Sequence, residues 1–348
     1  MREIEINGRK IGDNSPCFII AEAGVNHNGK LELALELVEI AKAAGADAVK
    51  FQLFRPEEQV SIAARPAAYQ QERSGFDNML QMGKSYDLPW EEHRTIAAYC
   101  RKLGIIYLAS CFDRLAVNFL IGLGGEAVKV GSGEITNYPL LAYISSTGLP
   151  ILLSTGASTL RDVAGAVEHI NQNGSSPIIL LHCVSNYPAD PAALNIRAMQ
   201  TMARAFGALK GFSDHTSGWI AAPVAVALGA CVIEKHFTLD KNLPGPDHAA
   251  SLDPAGLRDF VAVIRTAEAC LGDGVKHLLE EEKPIRTASR RSLVSYSHIT
   301  AGSRLDEHNT TFKRPATGID PRLWETVRGR TVKSSVPPDT PIKWEMLV

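Results

Sequence analysis

GFSDHTSGWIAAPVAVALGACVIEKHFT, residues 211–238, holds a strand, a helix and a second strand in one short span. Two short hydrophobic runs end at His215 and His236, and the apolar, helix-forming segment Ala221–Gly229 lies between them. In a parallel β-α-β unit both strands run the same way, so their C-terminal ends emerge on one rim. Two imidazoles on neighbouring strand ends can therefore converge on one divalent cation, and imidazole is a ligand that is neutral near physiological pH. Asp214 and Lys235 are expected on the same rim, as are Asp247 and His248 from PGPDH at 244–248. Ionisable groups at that density are costly to bury unless they have something to bind.

The same alternation extends over most of the 348 residues. Apolar runs occur near 17–22, 46–52, 105–111, 126–132, 149–155, 177–184, 209–214 and 230–236. Helix-period segments intervene at Lys30–Ala44, Trp90–Leu103, Thr159–Asn171 and Asn195–Phe206, and a last amphipathic helix covers Pro254–Leu271. Eight strand-helix units predict an α/β protein, a (β/α)8 TIM barrel. The strands read as continuous hydrophobic runs, as expected when both faces are covered. A doubly wound open sheet is the alternative, but no GxGxxG follows the first strand. The barrel is assigned to 1–272, and 273–287, which begins in the charged GDGVKHLLEEEKP (272–284), reads as a linker. From 288 to 348 the pattern changes to short β-like pieces with turns, which predicts a small β-rich domain. Residues 54–88, rich in Glu, Gln and Arg, interrupt the alternation after the second strand and are expected to be a loop with a short helix, a lid or substrate loop.

Composition excludes several classes. A net charge of −2 argues against a nucleic-acid or acidic-membrane binder. No run of 18 apolar residues is present to span a membrane. The start, MREIEINGRKIG, is charged and lacks a secretory apolar segment. Six scattered cysteines without a CxxC fit reduced thiols, so a cytoplasmic location is expected.

Every predicted strand ends in polar residues: Glu22, Lys50 with Gln52, Ser110, Lys129 with Ser132 and Glu134, Ser154, His182 with Tyr187, Ser213 with His215, and Glu234 with His236. Active sites of this fold lie at that rim. Two lysines among serines suit a phosphorylated or carboxylated anion. VGSGE at 130–134 and STGAST at 154–159 add backbone amides at helix starts. A histidine pair with carboxylates and no thiolate suits Mn²⁺, Mg²⁺ or Co²⁺ at least as well as Zn²⁺.

IIAEAGVNHNG (19–29), DAVKFQ (47–52), KVGSGE (129–134), ILLSTGAST (151–159), LLHCVSNYP (180–188), the SDHT and EKHFT blocks and KRPATGI (313–319) together resemble the sialic acid synthase family. The resemblance runs from about residue 17 to the C-terminus and makes the tail an antifreeze-like (SAF) domain. It implies condensation of phosphoenolpyruvate with an N-acylated hexose, and a domain-swapped homodimer in which one subunit's tail covers the other's barrel mouth. Its metal ligands fall on His215 and His236, with Mn²⁺ expected ahead of Mg²⁺ or Co²⁺. Its phosphoenolpyruvate contacts fall on Lys50, Lys129, Ser132, Ser154 and Ser213, with Ser110 where the family often has Thr. Its sugar contacts fall on Glu22, Gln52, Tyr187, Asp247 and, from the partner's tail, Arg314.

Glu134 is expected to orient or deprotonate the attacking water, and Glu22 is grouped with it and the two histidines as catalytic. N-acetylmannosamine, giving N-acetylneuraminate, is the first acceptor considered; a 2,4-diacetamido-trideoxyhexose, giving legionaminate or pseudaminate, is the second. Two departures stand out. SCFD at 110–113 replaces the common STPFD, and Ala316 replaces a glycine, which would alter the Arg314 loop if that position needs a positive φ. Two other readings are carried: Lys235 as a Schiff-base lysine in a metal-independent aldolase, and a non-catalytic sugar- or ice-binding tail, which Arg304, Asp306, Lys313 and Arg314 argue against.

Overall fold

Eight strands close on themselves in the computed structural model, which describes residues 3–348. A two-stranded hairpin comes first, β1 (Glu3–Ile6) and β2 (Arg9–Gly12). The barrel strands follow: β3 (Phe18–Gly24), β4 (Ala48–Leu53), β5 (Ile106–Cys111), β6 (Val128–Val130), β7 (Ile151–Ser154), β8 (Ile178–His182), β9 (Leu209–Asp214) and β10 (Val232–His236). Each pairs in parallel with its neighbours, and β10 closes onto β3 with His236 opposite Glu22.

Period-two alternation sorts each strand between two environments. One set, including Ile19, Val49, Leu153 and Ile233, packs outward against the helices. The other set, including Phe18, Ile20, Ala48, Leu108, Leu152 and Leu181, fills the barrel. Ile6 and Ile11 of the hairpin join that inner cluster, both 0% exposed, so the hairpin packs with the barrel interior. The sequence pattern missed it, because four-residue strands such as EIEI carry too few apolar residues to register.

The helices sit close to where the period placed them. Trp90–Leu103 and Pro254–Leu271 form as expected, the second capped by Asp253, whose side chain accepts from the Gly256 amide at 2.7 Å. The 54–88 insertion holds three short helices rather than one, Pro56–Gln59, Ala68–Ser74 and Met79–Tyr86. Val25, Phe54, Met82 and Tyr86 form a small apolar cluster of its own there.

The chain divides into two compact units, the first ending at Gly272 and the second beginning at Asp273. The stretch read as a linker belongs to the second unit, and Glu282–Ser289 within and beyond it is helical. In that unit β11 (Ser292–Ser295) pairs antiparallel with β12 (Thr310–Lys313), over a core that includes Leu293, Ile319, Val332 and Ile342. Ala316 does not adopt a positive φ, so the replacement leaves no backbone strain, and its amide donates to the Thr287 carbonyl at 2.8 Å. The position that requires glycine is Gly318, where a Cβ would lie 2.7 Å from the Ile342 carbonyl oxygen.

Candidate active site

The inward residue next above the apolar layer is polar on most strands, and these residues build a floor. Lys50 is its centre. Its ammonium lies 2.8 Å from Glu22 Oε2 and 3.5 Å from Glu234 Oε2, and it donates to Ser110 Oγ at 2.9 Å, with all four side chains buried. Ser213 Oγ donates to Glu234 Oε1 at 2.9 Å. Lys129, also buried, adds a second cation. Burial raises the Glu22 carboxyl to about 7, with Lys50 only partly offsetting it. Burial pushes Glu234 the same way, but Lys129, Lys50 and His236 together reverse it and hold it at about 2. Two carboxylates around one lysine are thus driven apart, one protonatable near neutrality and one fixed as an anion.

The two histidines converge as the strand pairing required, with ring centroids 5.7 Å apart. His215 Nδ1 donates to the Val184 carbonyl at 2.7 Å, which leaves Nε2 as the lone-pair nitrogen facing Tyr187 OH at 3.0 Å and Ser213 Oγ at 3.3 Å. His236 Nδ1 is buried and has no hydrogen-bond partner. Burial lowers both imidazoles' proton affinity, which favours the neutral rings. These features fit a divalent cation. Among the described residues no cluster of three His, Cys, Asp or Glu side chains is arranged for one, so a cation would draw its other ligands from substrate and water.

All the predicted site residues except Glu134 and Arg314 line one cavity of about 400 Å³: Glu22, Lys50, Gln52, Ser110, Lys129, Ser132, Ser154, Tyr187, Ser213, His215, His236 and Asp247. Gly156 keeps its wall open, because a Cβ there would stand 2.1 Å from Ser185 Oγ and 2.9 Å from Ser132 Oγ. Gly24, at φ +53, bends β3 past a register shift beside Glu22 and brings its backbone near His236. Glu134 is outside this lining. It ends a 3₁₀ turn, Ser132–Glu134, and its carboxylate accepts from Asn137 Nδ2 at 2.7 Å. Arg314 is exposed on the second unit.

Other rim residues have structural partners. Lys235 points away from the cavity and pairs with Asp214 at 3.1 Å, both side chains buried, which removes it as a Schiff-base lysine. His182 donates to the Leu194 carbonyl, and His248 bridges Thr238 and Asn28. Glu234 is a cavity-lining residue to which the sequence assigns no role; counting back two from His236 along β10 turns it inward.

A family model described as the NeuB family matches residues 37–276, and one described as the SAF domain matches 290–348. The chain belongs to the NeuB family. An N,N'-diacetyllegionaminic acid synthase of Legionella pneumophila is 42% identical over 347 residues, covering 98% of each chain. The human N-acetylneuraminate-9-phosphate synthase is 33% identical, covering 98% of this chain and 95% of its own. Among solved structures, N-acetylneuraminic acid synthetase from Leptospira borgpetersenii, in complex with citrate, aligns with a TM-score of 0.73 at 34% identity over 82% of this chain and 95% of that one. Relatives in the NeuB family are thus nonulosonic acid synthases of more than one product. No helix among the described residues is long and apolar enough to cross a membrane.

Proposed function

We propose that this NeuB-family chain is a nonulosonic acid synthase that joins phosphoenolpyruvate to the open-chain aldehyde of an N-acylated hexosamine. The observation that carries the reading is the shared cavity: two buried lysines and several hydroxyls beside two neutral imidazoles, one of them with an unpartnered nitrogen. Lys50 and Lys129, with Ser110, Ser132, Ser154 and Ser213, supply charge and donors for the carboxylate and phosphate of phosphoenolpyruvate. C3 of phosphoenolpyruvate forms the new bond to the aldehyde carbon, and a water oxygen adds at C2. The bond from C2 to the bridging oxygen then breaks, and phosphate leaves with that oxygen. His215 and His236 would hold Mn²⁺, Mg²⁺ or Co²⁺, which when bound acts as a Lewis acid on the aldehyde.

Glu22 keeps Oε2 on Lys50, while Oε1 lies on the side of Gly24 and His236, where the acceptor end of the cavity begins. With a proton affinity near neutrality it can give or take a proton there. Glu134 would have to release Asn137 before reaching the reacting carbon, so water handling is assigned to Glu22 rather than to Glu134. Identity to the legionaminate synthase, 42% against 33% for the N-acetylneuraminate-9-phosphate synthase, favours a 2,4-diacetamido-trideoxyhexose as acceptor over N-acetylmannosamine. The domain-swapped homodimer, with Arg314 reaching the neighbouring subunit's barrel, is part of the same proposal.

Phosphate release from phosphoenolpyruvate, dependent on acceptor and divalent metal, tests it. His215→Ala or His236→Ala should lower turnover roughly a hundred- to a thousandfold, the cost of losing one contact to developing charge. Mn²⁺ binding measured by calorimetry should weaken in parallel. Near-normal turnover of His215→Ala with metal present would overturn the assignment.

A further inference from the structure

The cavity's floor is charged, whereas the wall supplied by the 54–88 insertion carries no charge and is largely apolar, with Gln59 and Gln70 as its amides. Phe54, Met82 and Tyr86 pack there at 8%, 6% and 8% exposure, and Met79 packs against them. Gly83 holds the Met79–Tyr86 helix close to Pro56, since a Cβ at that position would come within 3.2 Å of Pro56 Cβ. The cationic side chains lining the cavity are Lys50 and Lys129, both on the floor. On the acceptor side the lining carboxylate is Asp247, beside the phenols Tyr69, Tyr86 and Tyr187.

The reacting aldehyde carbon must sit at the floor, between the imidazoles and the lysine-serine wall. The far end of the acceptor chain then projects toward the insertion, which begins directly after β4 and caps that mouth. An apolar wall favours a methyl group at the distal carbon and the methyl of a second acetamido group. Where Met79 and Met82 form that wall, a hydroxyl meets only thioether and methylene groups, the polar side chains of the insertion being Gln59, Gln70, Tyr69 and Tyr86. A distal phosphate would meet methionine, aromatic rings and a carboxylate; Arg73, a cation at that end, stands over the Tyr69 ring and acts on Asp247 from outside the lining.

We infer that Met82 and Met79 are specificity-determining residues that select a deoxygenated, twice-acetamidated hexose over N-acetylmannosamine, and both over its 6-phosphate. This rests on the synthase reading above. Selection by apolar contact alone is modest, on the order of ten- to two-hundredfold per group, because a hydrophobic pocket rejects an added hydroxyl only weakly. A phosphate should be rejected far more strongly.

The test is kcat/KM at saturating phosphoenolpyruvate for three acceptors: 2,4-diacetamido-2,4,6-trideoxymannose, N-acetylmannosamine and N-acetylmannosamine 6-phosphate. Wild type should prefer them in that order. Met82→Gln, close in size but polar, should reduce the first-to-second ratio about tenfold, and Met82→Leu should keep it. The KM for phosphoenolpyruvate should stay unchanged in both. Met79→Gln, at a half-buried position, provides the same readout if Met82→Gln fails to fold. A ratio that stays constant in the glutamine variants, or a wild type that favours the phosphorylated sugar, would overturn the inference and leave the synthase reading standing. Absence of phosphate release with all three sugars would overturn both.

Discussion

Replacing Lys235 by methionine separates a residue that holds the barrel wall from one that would do chemistry. Lys235 lies between Glu234 and His236, which both face the cavity, and period two turns it the other way. Its ammonium lies 3.1 Å from Asp214 Oδ2, with the two side chains 1% and 0% exposed, and it also donates to the Thr216 carbonyl. Methionine keeps the length of the stem but leaves Asp214 as a buried anion, with the Thr216 amide at 2.9 Å still donating to Oδ1. Removing one partner of a buried ion pair costs about 3–5 kcal/mol. The retained amide bond places the expected loss near the lower end, about 3 kcal/mol. In a domain of this size that corresponds to a Tm lower by roughly 6–12 °C. Turnover per folded molecule should stay within about tenfold, a barrier change of no more than about 1.4 kcal/mol.

Urea unfolding followed by circular dichroism, with phosphate release assayed at 25 °C, measures both quantities. The double variant Asp214→Asn with Lys235→Met should recover part of the loss, by a coupling of about 1–3 kcal/mol, because the stranded charge is gone. Wild-type stability with turnover abolished would be the opposite pattern and would refute a purely structural Lys235. That result would put Lys235 into the chemistry and revive the imine mechanism.

Further outcomes are expected at Asp247, Gly318 and Ala316. Burial holds the Asp247 carboxyl up at about 6, with Arg73 pulling the other way. Because the folded value exceeds the unfolded one, this group takes up its proton early, and its contribution to stability grows as pH falls from about 6 toward 3.8. Acceptor kcat/KM at saturating phosphoenolpyruvate should fall through the same pH if the carboxylate binds sugar hydroxyls, and Asp247→Asn should lose that inflection; an inflection that persists in the variant would refute the role. In the second unit, Gly318→Ala should destabilise by about 1–3 kcal/mol, since the new Cβ meets backbone that cannot yield. Ala316→Gly should cost about 0.4–1 kcal/mol through unfolded-state entropy, and a stabilised variant would show that the loop needs a positive φ after all.

Most of the barrel was legible in advance because its signals are local. A parallel strand covered on both faces is a run of apolar residues, and each of the eight runs became a strand with ends shifted by a few residues at most. The same period explains most of the site. Polar residues at the C-terminal end of such a run must sit on the rim, and His215 and His236 met there as the strand order required. Glu134 lies outside the cavity lining: period two stops at Val130, and beyond it the chain turns into a 3₁₀ segment, where spacing no longer says which way a side chain faces.

What the amino-acid sequence determined by itself was therefore the architecture and the chemical kind of floor, since strand periodicity is a property of neighbouring residues. Only the tertiary structure decided that Glu234 rather than Lys235 joins Lys50, that the proton affinities of Glu22 and Glu234 are shifted in opposite directions, and that methionines and aromatic rings of the insertion stand in the far wall. Those outcomes depend on distances between residues remote in the chain, and on how much water packing removes from each charge, which no local pattern carries.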